Sequence, residues 1–266
     1  MATTGADAAV RRLAIVRRLE AAGFRAWPAT ATAFDGTWAV RLTKGSSAKR
    51  LNSVNPLDPS DHADLEDRIA RAQARFAEFG RPLLFRQSPL APKVLVEHLD
   101  GAGWSSFGES IVFTGDLGAI DLSGAVDRIP IHDPARYVEA SLRVHRRGDD
   151  ARAGLAAILD AIEPPTALFV QEDADERPLA VALAVHDADL AGVLDVAVDE
   201  AVRGQGIGRA LVAAALRHVQ HKGARTGWLQ VEAGNAAGLA LYRRLGFVEA
   251  YRYVYRAPPA ASAGST

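Results

Sequence analysis

The stretch Leu194-Asp195-Val196-Ala197-Val198-Asp199-Glu200-Ala201-Val202-Arg203-Gly204-Gln205-Gly206-Ile207-Gly208-Arg209-Ala210-Leu211 decides how this chain is read. An apolar, β-branched run passes into Arg-Gly-Gln-Gly-Ile-Gly and then into a helical pattern. That order suits an anion site. Glycines let the backbone turn without Cβ clashes and bring N–H groups close to a ligand. A helix N-terminus adds unpaired donors and a partial positive charge, and successive N–H groups form a nest for phosphate oxygens. Arg203 and Arg209 flank the turn with full charges. Two other phosphate motifs fail. A Rossmann G-x-G-x-x-G begun at Gly204 requires Gly or Ala where Arg209 stands, and begun at Gly206 it requires one where Leu211 stands. A Walker loop needs Gly-Lys-Ser/Thr, but Gly208 is followed by Arg209-Ala210. What remains is Arg-x-x-Gly-x-Gly after a strand, a pattern that a plain flexible connection also satisfies.

One helix and one strand further on comes Trp228-Leu229-Gln230-Val231-Glu232-Ala233-Gly234-Asn235-Ala236-Ala237-Gly238-Leu239-Ala240-Leu241-Tyr242-Arg243-Arg244-Leu245-Gly246-Phe247. Together the two blocks resemble the GCN5-related N-acetyltransferase (GNAT) superfamily. Arg203 to Gly208 is similar to its Gln/Arg-x-x-Gly-x-Gly/Ala pyrophosphate loop. Asn235, Ala237 or its neighbours, Leu241-Tyr242 and Gly246-Phe247 are similar to its Asn-x-x-Ala-x-x-x-Tyr-x-x-x-Gly-Phe block. The resemblance spans roughly residues 125–256. It implies an α/β (α+β) GNAT fold, a mixed, mostly antiparallel twisted sheet flanked by helices, and acetyl-CoA as co-substrate with no metal.

The resemblance also implies roles. Two core strands splay around the pantetheine arm, whose amides join the backbone of Val196, Ala197 and Val198 like an added strand. Arg203 and the amides of Gly204, Gln205, Gly206, Ile207, Gly208 and Arg209 hold the pyrophosphate. Asn235 contacts the coenzyme and caps its helix. Tyr242 stands near the thioester sulfur, where a phenol of reference pKa ~10 supplies the proton that the leaving thiolate needs. A backbone N–H of the splayed strand, that of Val196, faces the oxyanion. Many relatives place a Glu twelve residues before the Tyr; here that position is Gln230, which cannot take a proton. Glu232, on the same strand face, and Asp195, with ordered water as relay, are the alternatives for the base.

The rest of the 266 residues bounds this reading. Lys+Arg is 31 against 32 Asp+Glu, so the basic excess of a nucleic-acid binder is missing. Hydrophobic content of 48% with 24% charged residues fits a globular chain. No run reaches the ~18 apolar residues of a membrane span. Arg11, Arg12, Arg17 and Arg18 interrupt the N-terminal apolar stretch, against a secretory signal. Cys is absent, which excludes disulfides, zinc-thiolate sites and cysteine nucleophiles. The expectation is a cytoplasmic monomer or homodimer acting on a small-molecule or peptide amine, with neither nucleic acid nor membrane as partner.

An internal repeat is legible. Aligning Gly103-Trp104 with Gly246-Phe247, 143 residues later, puts Phe85 on Trp228, Gln87 on Gln230, Val96 on Leu239 and Leu99 on Tyr242. Residues 1–124 are therefore expected to be a degenerate GNAT-like domain without the coenzyme loop, 125–257 the complete domain, and 258–266 a disordered tail. Within the first part, spacing predicts a helix over 7–22 stopped by Gly23, a strand after the Asp35-Gly36 turn, and a helix over Ser60–Phe79. Arg50 to Asn55 reads as a polar strand, solvated at an edge or lining a pocket. Trp27, Phe34 and Trp38 read as core. His218 and His221 read as a solvated helix face, His132, His145 and His186 as isolated, and Arg143 to Arg147 as cations suiting a helix C-terminus. The activity expected is acetyl transfer to a primary amine by direct attack in a ternary complex. The alternatives are a catalytically silent CoA sensor, which Gln230 motivates, and a transferase for a longer acyl group.

Overall fold

The structure, a computed structural model, describes residues 5–122 and 128–259. The expected boundary at Gly124 and the tail from residue 260 onward lie outside the described residues. The first half runs α1 (Gly5–Ala26), β1 (Ala31–Asp35), β2 (Trp38–Leu42), β3 (Ser53–Pro56), α2 (Leu65–Glu78), β4 (Phe85–Gln87), α3 (Lys93–Gly101) and β5 (Ser105–Asp116). The second runs α4 (Pro134–His145), α5 (Arg152–Asp160), β6 (Thr166–Glu172), β7 (Pro178–Asp187), β8 (Leu190–Val198), α6 (Ile207–His221), β9 (Thr226–Glu232), α7 (Ala236–Leu245) and β10 (Val248–Ala257). All described strands form one sheet in the order β1-β2-β3-β4-β10-β5-β9-β8-β7-β6. Pairing is antiparallel except at β3/β4 and β8/β9.

The order shows an exchange of strands. β5, from the first half, lies between β9 and β10, while β10 lies between β4 and β5. The β5/β10 ladder pairs Ser105 with Ala257 and Thr114 with Val248. Moving Ser105 and Thr114 on by 143 residues gives Val248 and Ala257, so the two end rungs map onto each other, as a local twofold requires. Turns obey the same offset. Trp104 N donates to Leu99 O at 3.0 Å and Phe247 N to Tyr242 O at 3.0 Å. Gly80 N donates to Ala77 O at 2.9 Å and Gly223 N to Gln220 O at 2.9 Å. The glycines at 80, 103, 223 and 246 all have positive φ at these helix ends, the conformation that a Cβ disfavours.

Helices cover both faces. On one, α1, α4 and α5 bury Val16, Leu19, Tyr137 and Leu155 against Trp228 and Tyr251. On the other, α6 and α7 bury Leu211, Leu216 and Leu245 against Phe113, Leu229 and Phe247. A third cluster gathers Trp38, Phe76, Phe85 and Leu99 in the first half. Among the described residues no helix is long and apolar enough to cross a membrane.

Several expectations need correction. Gly23 does not stop α1; it lies inside the helix, where a Cβ would come within 3.3 Å of Gln230 Nε2 and 3.8 Å of the Trp228 ring, so it serves close packing. α2 starts five residues later than Ser60, because Asp58 binds Ser60 and Asp61 binds Thr37, which keeps that segment in a loop. β3 is neither a solvated edge nor a pocket wall: it lies between β2 and β4 and is buried throughout, with Asn55 Nδ2 donating to Ala39 O at 3.2 Å. Trp27 and Trp38 are core, but Phe34 is 64% exposed on the edge strand β1.

A buried ion pair of the first half is bonded to a tyrosine of the second. Arg86 on β4 meets Glu20 on α1, which also accepts from the Tyr251 hydroxyl on β10. Removing one member of such a pair strands the other without a counter-charge. Arg86→Met is therefore expected to cost about 3–5 kcal/mol, to be read as a lower urea midpoint with an unchanged slope.

Candidate active site

β8 and β9 pair in parallel only from Leu190–Val193 with Thr226–Leu229. Beyond that point β8 continues to Val198 and β9 to Glu232 without pairing to each other, leaving a gap with two unpaired backbone edges. The parting coincides with a bulge. Leu183 faces Leu194 on β7/β8, but Val181 faces Ala197, so one extra residue is accommodated at Asp195-Val196. Asp195 has φ +49°, a left-handed conformation that a non-glycine residue adopts only where its surroundings hold it. A bulge of this kind turns backbone N–H groups out of the ladder.

The glycine turn follows at the end of β8. Gly204 and Gly206 have φ +79° and +80°, and a Cβ at either would meet only open space. Gly206 is the N-cap of α6 and supplies no side-chain cap, so the first amides of that helix are left for another acceptor. Gly208 is packed, in contrast: a Cβ there would sit 3.1 Å from Val198 Cγ2, which fixes α6 against the outgoing strand. The two arginines are less available than the sequence suggests. Arg203 Nε donates to Val198 O at 3.1 Å and its guanidinium lies 3.5 Å from Glu200, while Arg209 pairs with Asp121 at 2.5 Å. The positive character of the turn therefore comes chiefly from main-chain donors.

Asn235 caps α7, its Oδ1 accepting from Gly238 N at 2.9 Å. Tyr242, on α7, is 7% exposed and packs edge-on against Phe247. Its hydroxyl makes no hydrogen bond to another described residue, and burial pushes its pKa up to about 12. That phenol stays protonated at neutral pH and has a proton to give.

On the opposite face of β9, Gln230 accepts from the Tyr253 hydroxyl at 3.0 Å. Glu232 is 70% exposed, with Oε1 3.7 Å from Lys49 Nζ. Lys49 in turn lies over the rings of Phe107 and Tyr255, at 5.6 and 5.3 Å, so the first half supplies part of this wall. Asp195 is not free to act on a ligand. Its side chain is 2% exposed and is held by Ser141 Oγ at 2.6 Å, Tyr137 Oη at 3.2 Å, Arg147 at 3.3 Å and His145 Nε2 at 3.0 Å. His145 is thus not isolated. Its signal was present in the sequence: Tyr137, Ser141 and His145 recur every four residues on α4, a polar stripe on a face that helical periodicity turns inward. Arg146 and Arg147 do more than suit the helix end, the first pairing with Glu200 at 2.7 Å. His218 packs edge-on against Phe169.

The sheet splits beside a bulge and a glycine turn heads the helix that follows, as the sequence resemblance implies. The comparisons agree. Residues 136–247 match the family model for acetyltransferase (GNAT) family. An uncharacterized N-acetyltransferase, YobR of Bacillus subtilis (strain 168), is 23% identical over 246 residues, spanning 91% of this chain and 98% of its own. The [ribosomal protein bS18]-alanine N-acetyltransferase of Salmonella typhimurium is 40% identical over 77 residues, 29% of this chain and 52% of its own length. A solved tandem GNAT protein from the clavulanic acid biosynthesis pathway superposes with a TM-score of 0.63 at 16% identity, covering 93% of this chain and 88% of that one. Residues 136–247 thus carry a GNAT acetyltransferase-family domain, and relatives that share it are named N-acetyltransferases.

Proposed function

We propose that the protein transfers an acetyl group from acetyl-CoA to a primary amine, by direct attack in a ternary complex. The observation that carries this reading is the glycine turn, Arg203 to Arg209, opening onto an uncapped helix beside the unpaired edges of β8 and β9. The residues fit the coenzyme: Gly204 to Arg209 offer main-chain donors to a diphosphate, Val196 to Val198 offer a free strand edge to the pantetheine amides, and Asn235 stands at the start of α7. When bound, the coenzyme supplies an activated acyl group. Tyr242 donates a proton to the departing sulfur, and the N–H of Val196 in the bulge donates a hydrogen bond to the acyl oxygen as negative charge develops on it. The N-terminal half acts as a degenerate copy that walls the acceptor side through Lys49 and Phe107.

Tyr242→Phe is expected to lower kcat about 100-fold or more while leaving the Kd for acetyl-CoA unchanged. Thiol release against a library of amines, beginning with a peptide that starts in alanine, reports both the activity and the acceptor. The bS18-alanine relative recommends that first probe. A second reading, a silent CoA sensor, draws on Gln230, whose oxygen is engaged by Tyr253 and which cannot take a proton. Coenzyme binding without turnover for any amine selects the sensor.

A further inference from the structure

Arg50 carries a charge that no carboxylate among the described residues answers. We infer that the acceptor amine bears an anionic group of its own, and that Arg50, a residue of the degenerate half, binds that anion while the amine faces the parted strands. The inference rests on the acyltransferase reading above and gives its acceptor a chemical class.

Contacts with β9 fix the location. Gln230 is the first residue of β9 beyond its last rung with β8, and alternation puts its side chain on the face of Trp228. There its oxygen accepts from the Tyr253 hydroxyl at 3.0 Å. The Tyr253 and Tyr255 rings pack edge-on, 5.7 Å apart, in the same cluster. A single turn of the first half, Lys49–Leu51, lies against them. Leu51 is fully buried and anchors the turn, while Lys49 Nζ stands 5.3 Å from the Tyr255 ring and 3.7 Å from Glu232 Oε1 at the end of β9. Arg50, between these two residues, is half-buried. The cluster occupies the sheet face opposite Tyr242, so on this reading the acceptor meets the gap from one side and the proton donor from the other.

The Arg50 charge acts on this same cluster. Burial pushes the Tyr253 phenol up, but the Arg86 charge, then that of Arg50 and the Ser110 hydroxyl, outweigh it, and the net shift is downward. The Arg50 charge also opposes the upward shift that burial gives Tyr255. The guanidinium is therefore close to the phenol that holds Gln230.

The charge balance on this side is open. Arg86 is matched by Glu20, and Lys49 is drawn to Glu232. Arg41, 3% exposed, donates among the described residues to carbonyl oxygens alone, that of Trp27 at 2.6 Å and that of Arg50 at 2.9 Å, and its Nε is buried without an acceptor. Burial, with the Arg86 charge next, holds its pKa down at about 9. Arg41 and Arg50 are thus left without a carboxylate, and low-dielectric walls focus such a field on the open side. A planar guanidinium meets a carboxylate or a phosphate with two parallel hydrogen bonds. The fold does not need the Arg50 side chain for this turn, since it is the Arg50 carbonyl oxygen that takes the bond from Arg41.

The test uses the full chain and acetyl-CoA, with thiol release read for matched acceptors: each common amino acid against its amide, and phosphoethanolamine against ethanolamine. Removing the anion lowers the pKa of the amine and makes it the readier nucleophile, so a preference for the charged member reports recognition. The parent chain is expected to favour the anionic member of at least one pair by about 10-fold or more in kcat/KM, and the pair that shows it distinguishes carboxylate from phosphate. Arg50→Gln is expected to erase that preference, raising the KM for the anionic member about 10- to 100-fold while leaving the neutral member and the melting temperature unchanged. Arg50→Lys is expected to restore part of it. A merely structural role would lower both members together. The inference is overturned if the parent accepts neutral members as readily as anionic ones, if it acetylates other amines but no anionic one, or if Arg50→Gln slows both members alike. If the parent fails to bind acetyl-CoA, or binds it and acetylates no amine at all, the acyltransferase reading fails and takes this inference with it.

Discussion

Gly206→Val is expected to remove measurable acetyl-CoA binding while leaving the melting temperature close to that of the parent. The reason lies in one dihedral angle. Gly206 has φ +80°, and a β-branched residue is least tolerant of that region. Holding any L-residue in a left-handed conformation costs about 1–2 kcal/mol. Valine avoids that cost by rotating the adjacent peptide, which turns an amide away from the proposed diphosphate position. Each hydrogen bond to a charged group contributes about 1.5–3 kcal/mol. Losing two therefore weakens binding by roughly 10²- to 10⁴-fold. The fold tolerates the change because a Cβ at Gly206 meets nothing within 4 Å. Isothermal calorimetry and a thermal melt on the same sample separate the two effects. Unchanged affinity would mean that the turn does not hold the coenzyme. Gly208→Val gives a different pattern, since its Cβ would press on Val198 within 3.1 Å and disturb the strand edge as well.

The same residues show how far the sequence could be read. α4 shows the periodic apolar face that marks a surface helix in sequence, while β6 and β9 are short apolar runs buried on both faces. The glycine turn was legible because φ above zero is written directly as Gly. Other features depended on long-range contact. Gly23 looks like a helix stop in one dimension, and only the approach of Trp228 and Gln230 explains it. β3 looks like a polar edge, but it lies in the middle of a sheet, where Asn55 Nδ2 donates to Ala39 O and Ser53 O. The Asp195 network was hidden for a related reason. Its members come from residues 137 to 147 and from β8, and local pattern does not tell which carboxylate a helix face meets. The arginines beside the turn mislead the other way. Sequence counts them as free charges, whereas carboxylates at Glu200 and Asp121 already engage them.

The exchanged strands lead to the other large effect. A chain beginning at residue 128 contains every segment of the family match from 136 to 247, yet it is expected not to fold as a monomer. What it lacks is β5. That strand pairs with β9 from Ser110 to Asp116 and with β10 along most of its length, so its removal leaves two inward-facing edges unpaired. It also takes Ile111 and Phe113 out of one core and Val112 out of the other, all fully buried. Removing α1 with it uncovers Trp228 and Tyr251 on the other face. Fully burying each such side chain contributes about 1.5–3 kcal/mol, so the five losses together are of the same size as the stability of an ordinary domain, about 5–15 kcal/mol. The local twofold of the β5/β10 ladder predicts how the fragment escapes. A second copy can offer its own β10 in the place of β5, because the two strands are equivalent at the 143-residue offset and run antiparallel. Size-exclusion with light scattering on the 128–259 fragment is therefore expected to show either aggregate or dimer. A monomer with dispersed amide signals and the parental melting temperature would show that the second half is self-sufficient, and that the strand exchange is dispensable.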